Sequence, residues 1–101
     1  MSLMWILQTP EEVTGEPVTF RILPGGIRTI GRAPQADFVV DVAMVSRIHC
    51  RLTAGPRGLE VEDLDSTNGT YVNGRRIRTA ALVPGDRLRL GRLELVVSHA
   101  P

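Results

Sequence analysis

The chain reads as an all-β protein, a sandwich or barrel of short strands. Short runs with apolar alternation or β-branched enrichment recur at roughly ten-residue intervals. Clusters of Gly, Pro and Asn punctuate them. No window carries the i, i+3, i+4, i+7 spacing of a long amphipathic helix.

Each element follows from local chemistry. Trp5–Gln8 opens the series, and the acidic Glu11–Glu16 stretch reads as an exposed loop before Val18–Leu23. Pro24-Gly25-Gly26 turns the chain into Arg28–Gly31, followed by the short Phe38–Val40. His49–Thr53 and Leu59–Asp63 flank the Ala54-Gly55-Pro56 turn. Thr70–Val72 and Arg75–Ile77 flank Asn73-Gly74, a type I′ hairpin signal because both central positions require positive φ. Pro84-Gly85-Asp86 leads into Arg87–Leu90, and Leu93–Ser98 closes the set, with His99–Pro101 read as a frayed or exposed end. Neither an internal repeat nor a dividing linker interrupts the pattern.

A chain of 101 residues makes one domain. It buries about 65% of its unfolded surface, enough for one modest core without staples. Apolar residues at 43% and charged residues at 23% exclude a disordered low-complexity body. A formal net charge of +1 lacks the basic excess that phosphate neutralisation demands of a nucleic-acid binder. Every basic residue is arginine, for which GC-rich codon bias is the plainest cause. The consequence is physical all the same: each cation offers a planar, bidentate fork to phosphate or carboxylate.

The single cysteine, Cys50, excludes an internal disulfide and a Cys-based zinc site; its apolar-alternating surroundings make it a small buried hydrophobe. No apolar run approaches the ~18 residues of a membrane span, and no signal-peptide pattern is present, so the expected setting is cytoplasmic and reducing. Met1–Leu3 reads as a cloning remnant ahead of Met4. The chain stops directly after an apolar strand, which leaves room for a larger parent protein.

Between Ile30 and Gly74 lie clusters rich in arginine, hydroxyls, amides and glycine, the groups that hold a dianionic phosphate. Gly31-Arg32 ends a strand; Ser46-Arg47 precedes His49–Thr53 and offers a hydroxyl beside a second guanidinium. Taken singly, Arg32 reads as a solvated charge, and Ser46 reads equally as a strand cap or a ligand contact. His49 lacks the companions that a metal site needs and reads as a structural imidazole tying residues 46–48 to a neighbouring backbone. Ser66-Thr67-Asn68-Gly69 is either a self-bonded Asx-type turn or a loop donating outward to a ligand, with Gly69 at the positive-φ position. Asp63 and Asp65 read as braces for the loop amides, not as an acid pair.

The order and spacing of these clusters resemble the forkhead-associated (FHA) domain. The resemblance rests on Ile-Gly-Arg at 30–32, Asp37-Phe38, Ser46-Arg47 with His49, Ser-Thr-Asn-Gly-Thr at 66–70, Asn73-Gly74 and the closing Gly85-Asp86 with Leu88, Leu90 and Gly91. It covers essentially the whole chain, residues 4–101. Cys50, where the family often has alanine, is a mild departure. The resemblance implies an eleven-stranded β-sandwich of two twisted, mainly antiparallel sheets, of the FHA/SMAD-like class, with phosphate-binding loops at one end. It also implies Arg32 and Ser46 as direct phosphate contacts, Arg47 as an auxiliary one and Thr67 as a hydroxyl or amide contact. Asn68 would bond the peptide backbone; Gly31, His49 and Gly69 would shape the loops; Met44 would touch the peptide three residues after a phosphothreonine.

The expected partner is a phosphothreonine-containing protein, a Ser/Thr-kinase substrate, with no cofactor, metal, nucleic acid or membrane. A phosphate-independent interaction or self-association domain on the same fold is the alternative; it would have no need of the Arg32, Ser46, Thr67 and Asn68 set. A phosphatase would need a nucleophile with a partner base or a metal centre, and Cys50, His49 and the aspartates do not supply both.

Overall fold

Alternating burial along the chain builds two sheets whose apolar faces meet. The computed structural model describes residues 4–12 and 17–100. Its strands are β1 (Met4–Gln8), β2 (Thr19–Ile22), β3 (Ile27–Gly31), β4 (Phe38–Val39), β5 (Cys50–Gly55) and β6 (Gly58–Asp63). They continue as β7 (Thr70–Val72), β8 (Arg75–Ile77), β9 (Thr79–Leu82), β10 (Arg87–Leu90) and β11 (Leu93–Ala100). One sheet runs β2-β1-β11-β10-β7-β8 and the other β4-β3-β5-β6-β9. Every pairing is antiparallel except β3 with β4. No helix among the described residues is long and apolar enough to cross a membrane.

The core lies between the sheets. Leu7, Ile22, Leu88, Leu90, Leu95 and Val97 from one face meet Ile30, Leu52, Leu59, Val61 and Leu82 from the other. Each such side chain contributes about 1.5–3 kcal/mol on leaving water. Phe20 and Phe38, on the edge strands β2 and β4, stack with centroids 4.3 Å apart and close one open side of the sandwich. Cys50 is fully buried in this core, and burial pushes its thiol pKa strongly upward, which suits an inert hydrophobe.

Three differences from the sequence reading have physical causes. β9 was not anticipated, because Thr79-Ala80-Ala81-Leu82 carries two weak strand formers; pairing with β6 from Leu59 to Glu62 imposes the extended form. The end is exposed at His99 but not frayed there, because β11 continues to Ala100 and His99 stacks on its cross-strand neighbour Trp5 at 5.3 Å. β4 is shorter than expected because its partner β3 ends at Gly31, and the bond from the Val40 amide to Gly31 O is the last rung of their ladder. Residues 1–3, 13–16 and 101 lie outside the described residues, so the remnant at the start, the far part of the acidic loop and Pro101 do too. Glu11 and Glu12 are exposed. The Asn73-Gly74 turn has φ of 51° and 82°, the signs a type I′ turn demands.

Register brings the loops together. Ile30 faces Cys50, and Cys50 faces Asp63, so β3 ends, β5 begins and β6 ends at the same rim. In the other sheet Leu90 pairs with both Thr70 and Leu93, which places the start of β7 and the β10–β11 turn together. Contacts between Gly91 and Met44 and between His49 and Gly69 join the two rims into one end.

Candidate functional site

At this end the segments 31–33, 44–49 and 63–70 lock onto one another through backbone-directed bonds. Arg32 and Ala33 donate their amides to Ser46 O and Arg47 O, each at 3.0 Å. Gly31 is obligatory here, because a Cβ would stand 2.0 Å from Arg47 O. The Arg32 side chain is exposed, yet its Nε donates to Val45 O at 2.5 Å. That bond restrains the guanidinium and leaves its terminal amino groups as further donors.

His49 is fully buried and holds the centre. Its Nδ1 accepts the Ser46 amide at 3.0 Å, so the proton belongs on Nε2, which donates to Gly69 O at 2.8 Å. Its own amide reaches Ile30 O and its carbonyl takes the Leu64 amide. His49 therefore ties Ser46 to Gly69 through its ring and reaches Ile30 and Leu64 through its backbone. Neither ring nitrogen is left for a metal or a proton transfer.

The 66–69 loop is braced from within. Ser66 Oγ donates to Asp63 Oδ1 at 2.5 Å and accepts the Gly69 amide at 2.9 Å, while Thr70 Oγ1 donates to the same Asp63 oxygen at 2.7 Å. Burial works to raise the Asp63 pKa, but the bonds from Ser66 and Thr70, with His49 nearby, outweigh it and hold the carboxyl below its ordinary value. Asp63 is thus the brace expected of it. Asp65 takes another part: it is exposed and adopts φ of 54°, turning the chain into the loop.

With the turn closed by Ser66, the side chains of Thr67 and Asn68 are spared that task. Thr67 donates its amide to Ser46 Oγ at 3.0 Å, and its exposed side chain stands at the rim. Asn68 Nδ2 donates to Met44 O at 3.0 Å, leaving its second N–H and its Oδ1 for other partners. Met44 sits at φ 71° with half its surface exposed, and the absence of a side chain at Gly91 lets the backbones meet: a Cβ there would lie 2.5 Å from Met44 C. Arg47 is exposed beside Ser46.

The structure therefore gathers Gly31, Arg32, Met44, Ser46, Arg47, His49, Thr67, Asn68 and Gly69 at one end. Sequence reasoning missed Val45 O, which aims Arg32, and the part that the Ser66 and Thr70 hydroxyls take in the Asp63 brace. The spacing Asp-x2-Ser-x3-Thr was a signal for the brace; a backbone carbonyl leaves none.

The FHA domain family profile matches residues 28–91, which contain the whole of this site. The chain belongs to the FHA domain family. A solved FHA domain studied for phosphothreonine-dependent interactions superposes with a TM-score of 0.80 and 32% identity, covering 100% of this chain and 99% of that one. Over 95 residues the chain is 42% identical to an ABC transporter ATP-binding/permease protein of Mycobacterium tuberculosis, covering 94% of this chain and 10% of that protein. It is 35% identical over 80 residues to the glycogen accumulation regulator GarA of the same organism, covering 79% of this chain and 49% of GarA. The FHA chain thus spans about a tenth and about half of these relatives. With its eleven strands in two mainly antiparallel sheets, it has the sandwich that the resemblance implied.

Proposed function

We propose that this FHA domain binds phosphothreonine peptides of Ser/Thr-kinase substrates in a cytoplasmic setting and performs no catalytic step. The observation that carries the reading is the division of labour at Arg32 and Ser46. Each is oriented by one internal bond and keeps donors for a ligand: the Arg32 amino groups and the Ser46 hydroxyl proton. Phosphothreonine brings about −1.5 to −2 charges and three strong acceptor oxygens, and these donors suit it. Arg47 adds a second cation and the Thr67 hydroxyl a further donor. The Thr67 amide is already committed to Ser46, which favours the hydroxyl as its contact. Asn68, with one amide proton and its oxygen left over, bonds the peptide backbone.

Peptide choice beyond the phosphate falls to Met44, an exposed flexible apolar side chain at the rim, with an apolar preference at the third residue after the phosphothreonine. A phosphothreonine-oriented peptide library tests both parts. Selection of phosphothreonine with an apolar +3 residue is expected, and selection of Asp at +3 would refute the Met44 assignment. Equal retention of unphosphorylated peptides would favour a phosphate-independent interaction domain.

A further inference from the structure

The arginines of β8 are not absorbed by the phosphate site. Three of the chain's twelve arginines stand within residues 75–78. Arg75, Arg76 and Arg78 make no ion pair among the described residues, whereas Arg51 and Arg87 do. β8 is an edge strand, so one side of it faces no neighbour in its sheet.

Two contacts fix this cluster against the binding loop. Arg76 lies across the Cα of Gly69, where a Cβ would come within 2.7 Å of its Nε and 3.1 Å of its Cζ. The carbonyl of Arg78 accepts the Asp63 amide at 2.8 Å, anchoring the turn into β9 beside the same loop. Between them opens a cleft of about 500 Å3 lined by Asp63, Asp65, Ser66, Arg76, Ile77 and Arg78. The 66–69 loop is therefore held on one flank by residues 44–49 and met on another by cations without carboxylate partners.

Resting on the phosphothreonine reading above, we infer that Arg76 and Arg78 read acidic side chains, Asp or Glu, flanking the phosphothreonine in the same peptide. The chemistry of the cleft favours a carboxylate over a second phosphate. Its one hydroxyl, Ser66 Oγ, already donates to Asp63 and accepts from Gly69. Asp63 accepts three internal bonds, but it and the exposed Asp65 still oppose a dianion about twice as strongly as a monoanion. A guanidinium fork matches one carboxylate bidentately without further donors.

The test is calorimetry on the 101-residue chain. Phosphothreonine peptides would carry a block of Glu before or after the phosphothreonine, with Gln in the same positions as control. The wild-type chain is expected to prefer one Glu-flanked peptide by about 3- to 10-fold at low salt, within the range that two exposed ion pairs supply, and to lose the preference at high salt. In R76Q/R78Q the ratio of Glu-flanked to Gln-flanked affinity should fall to about one while the Gln-flanked phosphopeptide is still bound. R78Q alone, which leaves the packing on Gly69 untouched, should lose part of it, and R57Q, on the β5–β6 turn, should keep it whole. If the wild-type chain binds Gln-flanked phosphopeptide but does not distinguish Glu from Gln on either flank, this inference fails and the phosphothreonine reading stands. A wild-type chain that ignores the phosphate altogether overturns the reading itself. Retention of the full preference in R76Q/R78Q also overturns the inference.

Discussion

Thr67 donates its backbone amide to Ser46 Oγ at 3.0 Å, joining two loops that lie 21 residues apart in sequence. Because the serine oxygen is the acceptor in that bond, its own proton is available to a ligand oxygen. The same bond sets the height of Thr67 relative to Ser46. The site is thereby shaped before any ligand arrives, which lowers the ordering cost of binding.

Arg32 separates binding from folding. It is exposed and makes one side-chain bond, to Val45 O. Arg32→Ala should leave the melting temperature nearly unchanged and weaken phosphopeptide binding by about 10- to 150-fold, the range for one charge-assisted hydrogen bond. Thermal denaturation and calorimetry on the same preparation check it. Unfolding of the variant would make Arg32 a structural charge.

His49 behaves in the opposite way. It is wholly buried, and its ring bonds Ser46 N and Gly69 O. His49→Ala orphans both groups and should cost about 1–3 kcal/mol, read by chemical denaturation, with binding lost only in proportion to loop disorder.

Gly31→Ala places a methyl carbon 2.0 Å from Arg47 O. The backbone of residues 46–48 must move, at a cost of about 1–3 kcal/mol. Binding should fall more than in His49→Ala, because Arg32 and Ser46 separate. Denaturation paired with calorimetry gives both numbers.

Much of this was legible beforehand. Ten of the eleven strands follow from alternation and turn chemistry, and the Gly31-Arg32, Ser46, His49 and Thr67–Gly69 clusters stand out as polar groups between apolar runs. β9 escaped because its form comes from pairing with β6, a tertiary effect stronger than the preference of two alanines. The aiming of Arg32 by Val45 O escaped because a carbonyl has no side-chain signature. The mutual reach of Arg76 and Gly69 needs the β7–β8 register, in which Thr70 faces Ile77.

Asp63 gives the fold an acid limb. Its pKa in the folded chain lies below the ordinary value of 3.8, so the carboxylate form is the one that folding favours. Its contribution is complete above the unfolded value and fades as pH drops through the lowered folded value. Asp63→Asn should therefore be less stable at neutral pH and show a flatter loss of stability below about pH 4. Urea denaturation across pH checks the slope; an unchanged slope would show that Asp63 does not carry it.

Calorimetry with one peptide in phosphothreonine, phosphoserine, glutamate and threonine forms tests the central claim most directly. The phosphothreonine form should bind, and the glutamate and threonine forms should fall below detection, with the phosphoserine form showing how much the threonine methyl adds. A planar carboxylate offers less charge and fewer acceptors than the phosphate. Affinity for the phosphothreonine form should fall from about pH 7.5 to about pH 5.5, because the second phosphate ionisation lies near pH ~6 and the dianion is the form that Arg32 and Ser46 suit. Near-equal affinities for the phosphorylated and unphosphorylated peptides would contradict the account.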